Sequence, residues 1–545
     1  MCGVLSALKS KPDIVKFTQS CSVEGGHSRC NPCSKFVTLQ AQVQDVEKIL
    51  FNLRAAQRSL ISDINFHHSS FIRDIPNEIV RLIFNFCSHN PAPRGSKESR
   101  SRRFCMLTLG AVCKKWREIA WATPELWTFL RMPDIPEGSS SSFSIQVELA
   151  QEWLGRTANF PLDISLETQV SSRNPNFNPH VGKLIETLNS YSGRWRCLDI
   201  CIPKMYLPLF CNLPSKTAQI EPERMQHLRL DGFRLRKSRV SFNADGKLLK
   251  PTKVTLGPLS IRFLNIHWGN VTSLNCSALF ADECLELLRL APKVIDFAVG
   301  ITEGHDTPLI PNAPLIPNAP LIHSQLRKLT IKHSDDFILD FLFNKLTLPS
   351  LESFSYKISS VLTIQPNTLI ELLVRSHPPL RHLSLARVFM NNRNFMDLMA
   401  RVPQLEELEI LFEEPPIFFD SFLSKLGKTH ISNRSESSSD APFLPRLRSL
   451  KYQYHGIYPL HFYLIPIAFG KDAVSSNNAT GNENFRRPLQ SLTIAIEKLP
   501  YPRLRKVTAE YLLNLIENEG KTIEISYSGV DLLRSYENLD VDTES

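Results

Sequence analysis

One motif recurs along most of the chain and constrains its fold more than any other feature. It is a leucine-like residue, two variable residues, and then an apolar–variable–apolar triplet. It occurs at Met225/Leu228/Leu230, Leu326/Leu329/Ile331, Leu348/Leu351/Phe354, Leu380/Leu383/Leu385, Leu405/Leu408/Ile410, Leu447/Leu450/Tyr452 and Leu489/Leu492/Ile494. Alternation of this kind is the mark of a half-buried strand, with the two apolar residues on one face and the middle residue on the other. Helical patterns stopped by proline come just before several of the triplets. Glu283 to Ala291 ends before Pro292, Leu369 to Arg375 before Pro378, and Phe395 to Arg401 before Pro403. The unit is therefore a helix followed by a strand.

Counted from leucine to leucine, the units recur at 25 residues (Leu326 to Leu351), 29 (to Leu380) and 25 (to Leu405). Later intervals stretch to 42, and the added residues, as in 432–440 and 475–483, are rich in Ser, Asn and Gly and read as loops. The shorter periods fall in the range of leucine-rich repeats. The ladder asparagine of that family is not kept, which predicts an irregular array. The alternative is a conventional α/β domain with parallel strands. Scarce glycine (21 residues against 37 prolines) argues against it. In a leucine-rich array the middle residue of each triplet lines the concave face. Arg229, Thr330, Ser384, Glu409, Lys451 and Thr493 are the candidate lining for a bound protein.

Upstream the periodicity changes. Leu39, Val43, Val46, Leu50, Leu53, Gln57, Leu60 and Ile64 alternate spacings of four and three, and no proline or glycine interrupts Phe36 to Phe71. This is a helix with a coiled-coil seam, which serves either self-association through 39–64 or packing against its own chain. Next, Ile75 and Pro76 open a short amphipathic helix with Ile79, Leu82, Ile83 and Phe86 on one stripe. After a basic insertion at 88–103, apolar periodicity resumes through Val112, Cys113, Trp116 and Ile119 and stops at Thr123-Pro124. Three short helices cannot easily bury all this apolar surface among themselves, which points to a partner.

These residues resemble the F-box. The resemblance rests on the Ile75-Pro76 opening with Glu78 two residues on, the Val112-Cys113-x-x-Trp116-Arg117 core and the closing Pro124-x-Leu126-Trp127. Flanking segments extend it to fungal F-box proteins: Trp153-Leu154, then Pro161-Leu162-x-Ile164, then Ser192-x-Arg194-Trp195-x-x-Leu198. The long 88–103 insertion is a departure from the family pattern. The resemblance implies an α/β chain with an N-terminal coiled helix and three-helix F-box, followed by an irregular leucine-rich-repeat-like solenoid. The expected divisions are a disordered tail (1–35), a coiled-coil-like helix (36–72), the F-box (73–130), a connecting segment (131–190), the repeat region that holds a target (191–530) and an acidic tail (531–545). It further implies the substrate-recognition subunit of an SCF-type ubiquitin ligase. Ile75, Pro76, Ile79, Ile83, Val112, Cys113 and Trp116 would meet a Skp-family adaptor, and the adaptor a cullin. The alternatives are an F-box scaffold outside the ligase or a basic-loop nucleic-acid binder.

Other features narrow the function class. The 545 residues are 42% hydrophobic, which rules out wholesale disorder. The apolar stretch from Val4 to Leu8 is too short for a signal-peptide core. Without a membrane span the expected location is cytoplasmic and/or nuclear. Phosphate-loop, dinucleotide, zinc-protease and nucleophile-elbow motifs are all missing, so neither an enzyme nor a cofactor is expected. Cys21, His27, Cys30 and Cys33 have the residue types of a zinc site but no second half at zinc-finger spacing, and a cysteine-bearing tail is the competing reading. The net charge of +9 is partly local to Arg94–Arg103, where no aromatic is interleaved, so nucleic acid is not the expected partner. A duplicated hexamer, Pro308 to Ala313 and Pro314 to Ala319, reads as an extended loop.

Overall fold

The structure is a computed structural model. It describes residues 31–68, 74–88, 105–132, 140–167, 179–211, 225–232, 240–302, 320–333, 337–358, 366–387, 390–412, 417–432, 443–455, 460–469, 489–497 and 504–535. The chain divides into two compact units, Met1–Leu126 and Trp127–Ser545.

The first unit is helical. Helix α1 spans Asn31–His68, starting earlier and ending sooner than the expected 36–72. Its seam residues Leu39, Val43, Val46, Leu50, Leu53, Leu60 and Ile64 are 44–63% exposed. Helix α2 is Asn77–Ser88, α3 is Cys105–Val112 and α4 is Lys114–Trp121. The Pro76 carbonyl accepts from the Ile79 and Val80 amides, so proline opens α2 without wasting a donor. Val80 and Phe84, one turn apart, are buried, and Phe84 meets the Trp116 ring edge-on at 5.2 Å. A Cβ on Gly110 would lie 2.1 Å from the Trp121 ring, so only glycine lets α3 and α4 close to this separation. The Cys113 sulfur caps α4 by accepting from the Trp116 amide at 3.4 Å.

The second unit is built on one sheet of fifteen strands. In chain order the strands are β1 Phe129–Met132, β2 Leu162–Glu167, β3 Trp195–Ile202, β4 His227–Gly232, β5 Lys253–Leu256, β6 Ser273–Leu279 and β7 Asp296–Ile301. Then come β8 Leu321–Ile322, β9 Lys328–His333, β10 Leu346–Thr347, β11 Ser353–Ile358, β12 His382–Ala386 and β13 Glu407–Phe412. The last are β14 Ser449–Tyr454, β15 Ser491–Ile496, β16 Thr522–Tyr527 and β17 Val530–Asp531. Strands β8 and β10 form a separate parallel pair; the others lie side by side in sequence order. All the pairings are parallel except β16 with β17. Parallel neighbours need crossovers, and much of that task falls to helices: α5 Ser140–Gly155, α6 Pro179–Asn189, α7 Ala281–Leu290, α8 Phe337–Asn344, α9 Pro366–Ser376, α10 Asn392–Ala400, α11 Ile417–Ser432, α12 Ile465–Ala468 and α13 Lys506–Glu519. A last helical turn, α14, is Leu532–Ser535.

The motif residues build the interior. In register, Leu198, Leu228, Val254, Leu274, Phe297 and Leu329 form one continuous buried row, which Phe354, Leu383, Leu408, Leu450 and Leu492 carry on. Helix aromatics seat on this inner face. Phe343 of α8 meets Phe354 at 6.1 Å, and Phe419 of α11 stacks on Tyr452 at 3.8 Å. Each such side chain contributes about 1.5–3 kcal/mol when fully buried.

Four details depart from the sequence expectation. Phe354 pairs with Leu329 and Leu383, so the third motif is Leu351/Phe354/Tyr356, three residues later than Leu348/Leu351/Phe354. The sheet begins at Phe129, and residues 131–190 carry β2, α5 and α6 in place of a mere connection. Trp127, expected with the helical module, belongs to this unit. Its carbonyl accepts from the Trp153 indole at 2.8 Å, and the two rings lie edge to face at 4.7 Å. Lastly, residues 531–535 belong to the closing hairpin and α14, while 536–545 lie outside the described residues.

Candidate functional site

Two surfaces carry unsatisfied chemistry, one in each unit. In the helical unit, α2 has Val80 and Phe84 inside. Ile79 (45%), Leu82 (64%), Ile83 (37%) and Phe86 (80%) remain exposed, and Val112 at the end of α3 is 46% exposed. Among the residues expected at an adaptor surface, Pro76 is also exposed, and Ile75, Cys113 and Trp116 are half-buried. Cys113 and Trp116 have structural work as well, the cap of α4 and the contact with Phe84. Leu82 and Phe86, the most exposed of the stripe, were legible as part of its i, i+3, i+7 spacing but carry more of the surface than spacing alone indicates. A set of large apolar side chains turned out on so small a unit is the signature of an interaction surface.

In the second unit the middle residues of the triplets form one row. By register it runs from Arg131 on β1 to Glu524 on β16. Arg229, Thr330, Ser384, Glu409, Lys451 and Thr493 all fall in it, each half-buried. The row also contains Asp199, Thr255, Asn275 and Ser355. Asp199, Thr255 and Asn275 lie in strands that lack the full leucine lead, and Ser355 was hidden by the three-residue offset at Leu348.

Most charges on this open face are neutralised locally. Arg131 pairs with Glu167 at 3.3 Å, Arg229 with Asp231 at 3.3 Å and Asp199 at 3.9 Å, and Arg196 takes Asp163 in a two-pronged bond. His382 faces Glu407 at 3.5 Å. Lys451 reaches Glu409 at 2.8 Å, and the Ser384 hydroxyl donates to the same carboxylate at 2.9 Å. The Lys451 hydrogen bond holds the Glu409 carboxyl below its ordinary value against the opposing effect of partial burial, with Ser384 assisting. Burial pushes the Cys197 thiol on β3 up to about 11, so it stays protonated at neutral pH.

The described residues contain no group of three or more side chains placed to hold a metal ion, and no helix long and apolar enough to cross a membrane. Cys21, His27 and Cys30, the 94–103 basic run and 308–319 lie outside the described residues; Cys33 lies in α1, where its side chain is not described. No family model matches the chain, and no curated protein matches it.

Proposed function

We propose that the chain is a substrate receptor of an SCF-type ubiquitin ligase. The observation that carries this reading is the outward apolar stripe of α2, Ile79, Leu82, Ile83 and Phe86, standing on a three-helix unit whose sequence resembles the F-box. Such a stripe fits a Skp-family adaptor, and the adaptor brings the cullin. The strand order, equal to the chain order and parallel, supports a leucine-rich-repeat-like solenoid for the second unit. Its open face then holds the target protein. The mechanism is proximity: a held target presents its lysine to a ubiquitin-charged enzyme at high effective concentration. No residue of this chain does covalent work, and no cofactor is needed. The setting is cytoplasmic and/or nuclear. The exposed α1 seam, 39–64, pairs two copies of the chain.

Co-purification with a Skp-family adaptor and cullin tests the reading. Wild type retains both. Leu82→Asp/Phe86→Asp, which alters exposed residues alone, loses both while its helical signal persists, as does Ile75→Asp/Pro76→Ala. Retention of the adaptor by both double variants overturns the adaptor assignment. Adaptor without cullin overturns the ligase role and leaves a scaffold.

A further inference from the structure

On the open face of the sheet, Arg131, Arg196, Arg229 and Lys451 are matched by acids at ion-pair distance, but the lysines of the middle strands are not. Across β7, β9, β11 and β12 the face carries Lys328, Lys332 and Lys357. All three are exposed, and none has an ion pair or hydrogen bond among the described residues; Glu409, two strands from β11, attracts Lys357 from beyond contact distance. The one acid of these four strands on this face is Asp296, whose register neighbour is Lys328. Lys332 and Lys357 are directly opposite each other on adjacent strands. The strands are about 4.8 Å apart, and like charges so placed are unfavourable. The floor around them is small: Thr330, Ser355, Ser384 and Gly300. At Gly300 a Cβ would sit 2.0 Å from the Ser277 carbonyl oxygen, so glycine is required where the bulged β6 closes on β7.

We infer that this window binds an extended acidic segment, rich in Asp and Glu, of the protein that the open face holds. The inference rests on the reading of that face as a target-holding surface. Charge complementarity names the partner, and the type of cation refines it. The open-face arginines Arg131, Arg196 and Arg229, whose planar forks suit a phosphate, are engaged with carboxylates. The cations outside any ion pair are lysines, point charges spread along and across strands. Lys328 and Lys332 lie four residues apart on β9, and Lys357 stands on the next strand. A distributed set of single charges matches a run of carboxylates better than one compact dianion.

The probe is a fluorescein-labelled dodecamer of glutamate, read by anisotropy on the full chain at low and moderate salt. Wild type binds, and binding weakens as salt rises. Lys328→Glu/Lys332→Glu/Lys357→Glu binds about tenfold or more weakly. Lys332→Glu alone keeps the fold testable: a Glu opposite Lys357 replaces repulsion with attraction, so the melting temperature rises while binding falls. Undiminished binding by the triple variant overturns the proposal. So does an otherwise uncharged peptide with a single phosphoserine that displaces the probe more effectively than unlabelled glutamate does. Asp335 and Asp336 follow β9 in sequence, outside the described residues. If only Asp335→Asn/Asp336→Asn binds the probe, the lysines serve the chain's own loop, and the proposal is equally overturned. Adaptor retention is measured on the same variants, so loss of acidic binding with adaptor retained is distinct from failure of the adaptor assignment.

Discussion

The two units use large apolar residues in opposite ways. In the sheet unit, the motif leucines of β4, β9, β12, β13, β14 and β15 are at most 2% exposed, and helix aromatics close over the same face. In the helical unit, α2 buries Val80 and Phe84 but leaves Leu82 64% and Phe86 80% exposed. The amphipathic pattern is equally clear in both. What differs is the number of elements that can cover it. A sheet of fifteen strands with its own helices encloses its apolar rows. Three short helices enclose one turn's worth and present the rest. Mutations in the first unit should therefore uncouple binding from stability, and those in the second should not.

The largest effect is expected at Trp153. It is 6% exposed, donates to the Trp127 carbonyl and packs against its ring. Trp153→Ala should cost about 3–5 kcal/mol, read as a lower denaturant midpoint of the sheet unit. Arg375 of α9 comes next. Its guanidinium donates to the carbonyls of Phe343 and Leu346 and so ties α9 to the end of α8. Arg375→Met leaves those acceptors without donors and should cost about 1–3 kcal/mol. Gly520 ends α13 with φ at +65°, and nothing crowds its missing side chain, so Gly520→Ala should cost about 1 kcal/mol through the backbone alone.

Against these, Phe86→Ser should change stability by no more than a surface substitution does, about 0.5 kcal/mol, yet abolish the proposed adaptor binding. A large destabilisation by Phe86→Ser would break the comparison between the units. The smallest effect is at Glu409, which is too exposed for a strong pair. Its carboxyl sits below the ordinary value in the folded protein. Its contribution is thus complete above pH 4.5, the ordinary value, and fades as pH falls through the folded one. Glu409→Gln should flatten the acid limb of a plot of melting temperature against pH and leave neutral pH nearly unchanged.

Much of the surface geometry was readable in advance at the level of faces. The alternation at Leu383-Ser384-Leu385 says which residue turns away from the core, and all six residues so chosen share one row. The stripe Ile79, Leu82, Ile83 and Phe86 was equally plain. Less legible was which member of a stripe stays uncovered, because that depends on how far α4 reaches across α2. Trp116 covers Phe84 and leaves Phe86 out. The segment 240–266 resisted reading for another reason. Around the short β5, two asparagines hold the irregular backbone: Asn243, at φ +57°, donates to the Lys247 and Asn265 carbonyls, and Asn265 donates back to Asn243 and Gly246.

Sequence alone determined the period, the helix-then-strand unit and the face each side chain takes, since these follow from local backbone geometry and the side chain's affinity for water. Tertiary structure decided the register. It moved the third motif from Leu348 to Leu351, drew Trp127 and the elements β2, α5 and α6 into the sheet unit, and set Lys332 opposite Lys357, 25 residues further along the chain. Register is a contact between distant segments, settled by the packing of whole rows at once, and no local pattern along the chain contains it.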